Sequence, residues 1–186
     1  MASKPPDAFL SYTRFDDQHD GGAISELCRR LASAVRAVTG VPFRIFQDVE
    51  GIGVGEHWSG KLDQMLNEAR FFIPIVTPSY FTSKPCREEL EKFLRAEAAR
   101  GRNDLVLPIY YIECDVLEDA ELRAADPSAS TLHERQRQDW RELRFEPFDA
   151  KDVRRALERL ARRIVEARRR AMPGRSGVPS PGFAAR

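Results

Sequence analysis

Phe71-Phe72-Ile73-Pro74-Ile75-Val76-Thr77 runs seven residues without a charge, between Glu68-Ala69-Arg70 and the polar Pro78-Ser79. A short unbroken apolar run is what a strand covered on both faces requires, and such strands belong to parallel sheets enclosed by helices. On its amino-terminal side, His57–Ala69 places Trp58, Leu62, Met65 and Leu66 at helical spacing. On its carboxyl-terminal side, Ser83 is placed as an N-cap, with Pro85 tolerated in the first turn, for a helix reaching about Arg100. Further out, Ala8–Tyr12 (AFLSY) and Phe43–Phe46 read as strands, separated by a helix over Ile24–Val38 that Gly40 ends. Leu105–Ile112 (LVLPIYYI) reads as a second buried strand, and its Pro108 predicts a bulge. Residues 117–140 are charged, are broken by Asp126-Pro127, and are expected to hold one or two short helices. Leu143–Phe148 reads as an edge strand because of Glu146-Pro147, and Val153, Leu157, Leu160, Ala161, Ile164 and Val165 mark a final helix.

Successive strand and helix units predict an α/β fold: a flavodoxin-like three-layer sandwich with a five-stranded parallel sheet. The domain is expected to span 1–171. From 172 onward the chain turns rich in Pro, Gly and Ser, the composition of a flexible tail or a linker to a further module.

The 186 residues are 42% hydrophobic and 32% charged, a globular balance. Lys+Arg 30 against Asp+Glu 29 leaves a net charge of +1, which gives no bulk attraction to nucleic acid. No apolar run approaches the roughly 20 residues that span a bilayer, and the start MASKPPDAFLSY has no signal-peptide pattern. Cys28, Cys86 and Cys114 lie far apart without a C-x-x-C pair, and His19, His57 and His133 are scattered. Neither a disulfide framework nor a metal site is expected, and a reducing cytoplasm suits the chain.

In an open parallel sheet, ligands bind outside the carboxyl ends of the strands. Those ends carry Ser11-Tyr12-Thr13-Arg14, the loop from Gln47 to Gly55, Thr77-Pro78-Ser79-Tyr80 and Ile112-Glu113. Gly51-Ile52-Gly53-Val54-Gly55 fails the dinucleotide fingerprint, because position six is Glu56 counted from Gly51 and Trp58 counted from Gly53. No G-K-[ST] follows to make a P-loop, so the glycines read as a mobile flap. A receiver-like switch shares the strand order, but Asp16-Asp17 lie too far beyond the first strand to form its acidic pair. No histidine follows a serine in an elbow motif.

Asp7-Ala8-Phe9-Leu10-Ser11-Tyr12 resembles the first box of Toll/interleukin-1 receptor (TIR) domains. Phe46-Gln47-Asp48 through Gly55 to Trp58, with Leu62 and the strand up to Val76, is similar to their second box and BB loop. Ser79-Tyr80-Phe81, Ser83 and Cys86-Arg87-Glu88-Glu89-Leu90 resemble the pattern that opens their third helix. Pro85 stands where a tryptophan often precedes the cysteine, and the C-terminal Phe-Trp box has no counterpart.

The resemblance, closest to the bacterial type, implies cleavage of NAD at the nicotinamide–ribose bond in defence or signalling, with NAD as substrate and no cofactor. It implies Glu89 as the catalytic carboxylate, and Ser11, Tyr12, Arg14, Asp48, Gly55, Trp58, Ser79 and Tyr80 as substrate-binding positions. It also implies self-association through TIR–TIR contacts and a possible sensor domain or partner protein. The chemistry agrees: breaking an N-glycosidic bond builds oxocarbenium character that a carboxylate stabilises, and nicotinamide leaves neutral, without a general acid. The plainer readings stand beside it. Glu88 and Glu89 suit ordinary helix carboxylates, with Glu88 pairing Lys92. Trp58 suits a core position and Arg14 a solvated loop. The arginines Arg162, Arg163, Arg168, Arg169 and Arg170 suit a helix C-terminus. A non-enzymatic scaffold working by TIR–TIR contact is the rival function.

Overall fold

The structure is a computed structural model that describes residues 5–47 and 56–170, and of residues 56–59, 61 and 62 the backbone alone. The expected tail at 172–186 lies outside the described residues. The central strands are β1 (Ala8–Ser11) and β3 (Phe71–Val76), and every residue of both is buried. Covered on two faces, they have no room for the alternation of a half-exposed strand. The sheet order is β2 (Ile45–Gln47), β1, β3, β4 (Ile109–Tyr110), β5 (Gln138–Asp139), with every pairing parallel. This is the flavodoxin-like order, in which the strand sequence reverses beside β1.

Helix α2 (Ala23–Thr39) packs on α9 (Lys151–Arg170), while α3 (Glu56–Glu68) and α8 (Pro127–Glu134) pack on α5 (Lys84–Ala99). The Gly40 reading holds: it is the C-cap of α2 at φ 71, a left-handed conformation that glycine adopts without strain. Ser83 caps α5 as the sequence predicts, accepting the Cys86 N–H at 3.4 Å with Pro85 in the first turn.

Two expectations fail for stated reasons. Leu105–Ile112 is not one long strand, since regular pairing covers only Ile109–Tyr110, with a single bridge from Val106 to Phe72. Phe72 donates to Leu105 O and accepts from the Leu107 N–H, but two residues on Pro74 has no N–H to continue the ladder, and Pro108 lacks one on the facing strand. Leu143–Phe148 is not the edge strand. Residues Leu143–Phe145 form a 3₁₀ turn in which Phe145 is exposed, and the edge is Gln138–Asp139. Buried Trp140, donating its N–H to Tyr110 O, anchors the chain to the sheet three residues earlier than apolar content suggests. The charged stretch holds three short helices: α6 (Asp115–Glu118), α7 (Ala120–Ala125) and α8. Asp119 caps α7 and Asp126 caps α8 through their carboxylates. Two further short helices were not legible: α1 (Arg14–His19) and α4 (Pro78–Thr82), capped by Thr13 and Thr77.

Candidate functional site

At the carboxyl edge, beside the point where strand order reverses, a cleft of about 350 Å³ opens between the residues after β1 and the start of α5. Tyr12, Thr13 and Arg14 line one side; Ser83, Cys86 and Glu89 line the other. The volume lies in the range of small-ligand sites.

Glu89 sits half-buried on α5 and accepts a 2.6 Å hydrogen bond from the Ser11 hydroxyl at the end of β1. A hydroxyl this close to a carboxylate makes a charge-assisted bond that fixes the acceptor's position. Ser11 is itself buried, and its Oγ lies 3.4 Å from the Tyr80 hydroxyl, which donates to Cys86 O at 3.3 Å. Burial raises the Tyr80 phenol well above its ordinary value, which keeps it neutral. Burial likewise pushes the Cys86 thiol up to about 11, so it does not supply a thiolate to the cleft at neutral pH.

Three ties hold α5, and with it Glu89, in place. Arg87 grips Asp126 at 2.7 Å and 3.4 Å. Lys92 reaches Asp63 of α3 at 2.6 Å. Buried Glu97 accepts from Arg135 and from the Leu105 N–H. Glu88 pairs with Lys84 at 3.7 Å instead of with Lys92, because Lys92 is engaged across the helix pair.

Across the cleft, Arg14 opens α1 with a guanidinium nitrogen, Nη2, that is buried and has no hydrogen-bond partner among the described residues. A buried cationic donor left unsatisfied is costly, and an anionic acceptor relieves that cost.

The structure thus brings Tyr12, Arg14 and Glu89 to one cleft and sets Ser11 and Tyr80 beneath it. Tyr80, at 0% exposure, offers no face for a ring to stack on. Ser79 is half-buried and does not line the cleft; its carbonyl accepts from the Ser83 N–H and the Thr82 hydroxyl. Asp48 and Gly55 lie outside the described residues, and Trp58 falls on α3 with its side chain outside the description. Sequence reasoning passed over Asp16, which is 4% exposed and joins the two threonine caps. The spacing Thr13-x-x-Asp16 has the form of a capping box, and that was the available signal.

The family model described as TIR domain matches residues 9–157. Among solved structures, the TIR domain of the Toll-related receptor TRR-2 from Hydra magnipapillata is similar at 18% identity, over 86% of this chain and 98% of that one, with a TM-score of 0.52. The TIR domains of the activated Roq1 resistosome, which directly recognises the pathogen effector XopQ, align at 20% identity over 84% of each chain, with a TM-score of 0.47. The first likeness concerns the fold alone, and the second carries no argument. No match is found among curated proteins.

Proposed function

The chain belongs to the TIR-domain family, and from that premise we propose that it is an NAD glycohydrolase or cyclase whose carboxylate is Glu89. One observation carries the reading: Glu89, held by the Ser11 hydroxyl, lines the same cleft as Arg14 with its buried, unpartnered guanidinium nitrogen. A carboxylate and a cation across one cleft suit a substrate that develops positive charge at its ribose and carries negative charge on its pyrophosphate.

In the reaction, the bond between ribose C1′ and the nicotinamide nitrogen breaks, and its electron pair leaves with neutral nicotinamide. Glu89 stabilises the cationic ribose. Water then adds to C1′ and loses a proton, giving ADP-ribose; addition of an adenine nitrogen gives a cyclic product instead. Arg14 and the amino-terminal end of α5 hold the pyrophosphate. Self-association through TIR–TIR contacts, a cytoplasmic setting and a role in defence or signalling belong to the same proposal. No helix among the described residues is long and apolar enough to cross a membrane.

The test is nicotinamide release from NAD at high protein concentration, wild type beside Glu89→Gln, with ADP-ribose and cyclic products resolved by chromatography. The expected outcome is release by the wild type and a loss of at least about 100-fold in the variant. Release that is equal in the two proteins removes Glu89 from the mechanism. No release by the wild type, even when oligomerisation is forced, moves the assignment to a scaffold working by TIR–TIR contact.

A further inference from the structure

The buried carboxylate of Asp16 has no cation beside it among the described ion pairs, yet it sits where two loops of the sheet's carboxyl edge meet. Its Oδ2 accepts the Thr13 hydroxyl at 2.6 Å and the Thr77 hydroxyl, from the other loop, also at 2.6 Å. Each threonine is at the same time a helix cap: Thr13 Oγ1 accepts the Asp16 N–H at 3.3 Å, and Thr77 Oγ1 accepts the Tyr80 N–H at 3.1 Å. A hydroxyl has one proton and two lone pairs. With a lone pair of each facing an amide, both protons converge on one carboxylate oxygen, and each bond polarises the next.

The consequences reach both walls of the cleft. Thr13 lines the cleft and directly precedes Arg14. Thr77 fixes the backbone of Tyr80, whose hydroxyl lies against Ser11, the donor to Glu89. The geometry points to Asp16 as a positioning residue, a clasp that sets the spacing between the phosphate-binding Arg14 and the Glu89 carboxylate. The inference rests on the glycohydrolase reading for its kinetic consequence. Its structural content stands apart from that reading.

Thr77→Val removes one hydroxyl at nearly constant shape, Thr77→Ser keeps it, and Asp16→Ala removes the clasp. In NAD turnover, Asp16→Ala and Thr77→Val are each expected to raise KM about tenfold with a smaller fall in kcat, since loss of a hydrogen bond to a charged group is of that order. Thr77→Ser is expected to stay within about twofold of wild type, and the double variant to be no worse than Asp16→Ala alone, because the two residues act as one unit. Val153→Ala, a core truncation in α9, serves as the control for lost stability and is expected to leave KM unchanged. Unchanged KM in Asp16→Ala and Thr77→Val, or a KM that only tracks melting temperature through Val153→Ala, overturns the inference. Should Asp16→Ala not fold, the Thr77 pair decides alone. Where the wild type releases no nicotinamide, the glycohydrolase reading fails and amide exchange judges the clasp. Faster exchange of the Tyr80 N–H in Asp16→Ala, which leaves the Thr77 hydroxyl in place, with Leu90 N–H unchanged, supports it, and unaltered protection at Tyr80 overturns it.

Discussion

Ser11 directs its hydroxyl proton to Glu89 across 78 residues of sequence, at 2.6 Å. Being buried, it cannot also touch a ligand, so in the proposed reaction it would act through the carboxylate. In Ser11→Ala, Glu89 loses the hydrogen bond from the Ser11 hydroxyl. The expected result is a fall in kcat of about tenfold, the order of one charge-assisted hydrogen bond, with KM close to wild type. Steady-state NAD turnover separates the two parameters, and a rise in KM at constant kcat would return Ser11 to the role of a substrate contact. Arg14 belongs to the opposite case, since its unpartnered nitrogen faces no competing acceptor among the described residues.

At the scale of elements, α5 is held at both ends, and the ion pair at the far end is the more deeply buried. Glu97 is 1% exposed and binds the Arg135 guanidinium at 2.8 Å, while also accepting the Leu105 N–H at 2.8 Å. It therefore ties the last turn of α5 to the entry of the β4 region and to the C-cap of α8. Removing the cation leaves a buried carboxylate without its counter-charge, which costs about 3 kcal/mol. Arg135→Met is accordingly expected to lower the urea midpoint strongly while leaving KM for NAD unchanged, because the pair lies at the end of α5 away from Glu89. A variant as stable as wild type would show that the Leu105 N–H alone satisfies Glu97.

At the scale of the whole molecule, charge is arranged along the strand direction. The amino-terminal end of α5 faces the cleft, where an anion is expected to sit. At the opposite edge, arginines meet backbone carbonyls at or just beyond helix ends: Arg100 donates to Asn67 O and Ala69 O, and Arg102 to Ala167 O. Asp104 lies between Arg102 at 2.6 Å and Arg170 at 3.2 Å, joining the β4 entry to the end of α9. The Arg102 hydrogen bond, against a smaller opposing effect of burial, holds the Asp104 carboxyl below its ordinary 3.8. A depressed folded-state value stabilises the fold above 3.8, and that stability is lost as pH falls through the folded value. The melting temperature is therefore expected to be level from neutral pH to about 5 and to drop below 4. Asp104→Asn should lie lower at neutral pH and lose less on acidification. Parallel curves for the two proteins would exclude Asp104 from the acid transition.

Much of this architecture was legible in the chain because its signals are local. The apolar run at Phe71–Val76, the helical spacing around Leu27 and Leu31, the Ser83 cap and the Gly40 stop each act within a turn or a strand. The five-stranded parallel order followed from them. The two-residue strands β4 and β5 carry no periodicity of their own; they exist because Tyr110 and Trp140 find partners across the sheet. Tertiary structure alone decided that Ser11 and Tyr80 lie under the cleft, that Arg14 and Glu89 line it together, and that Asp16 reaches Thr77. Those contacts join residues 61 to 78 positions apart, at Thr77 to Asp16 and Ser11 to Glu89. Local propensity cannot encode such distances. They arise when right-handed crossovers bring the ends of β1 and β3 side by side, and only there does a buried polar group find the partner that its desolvation demands.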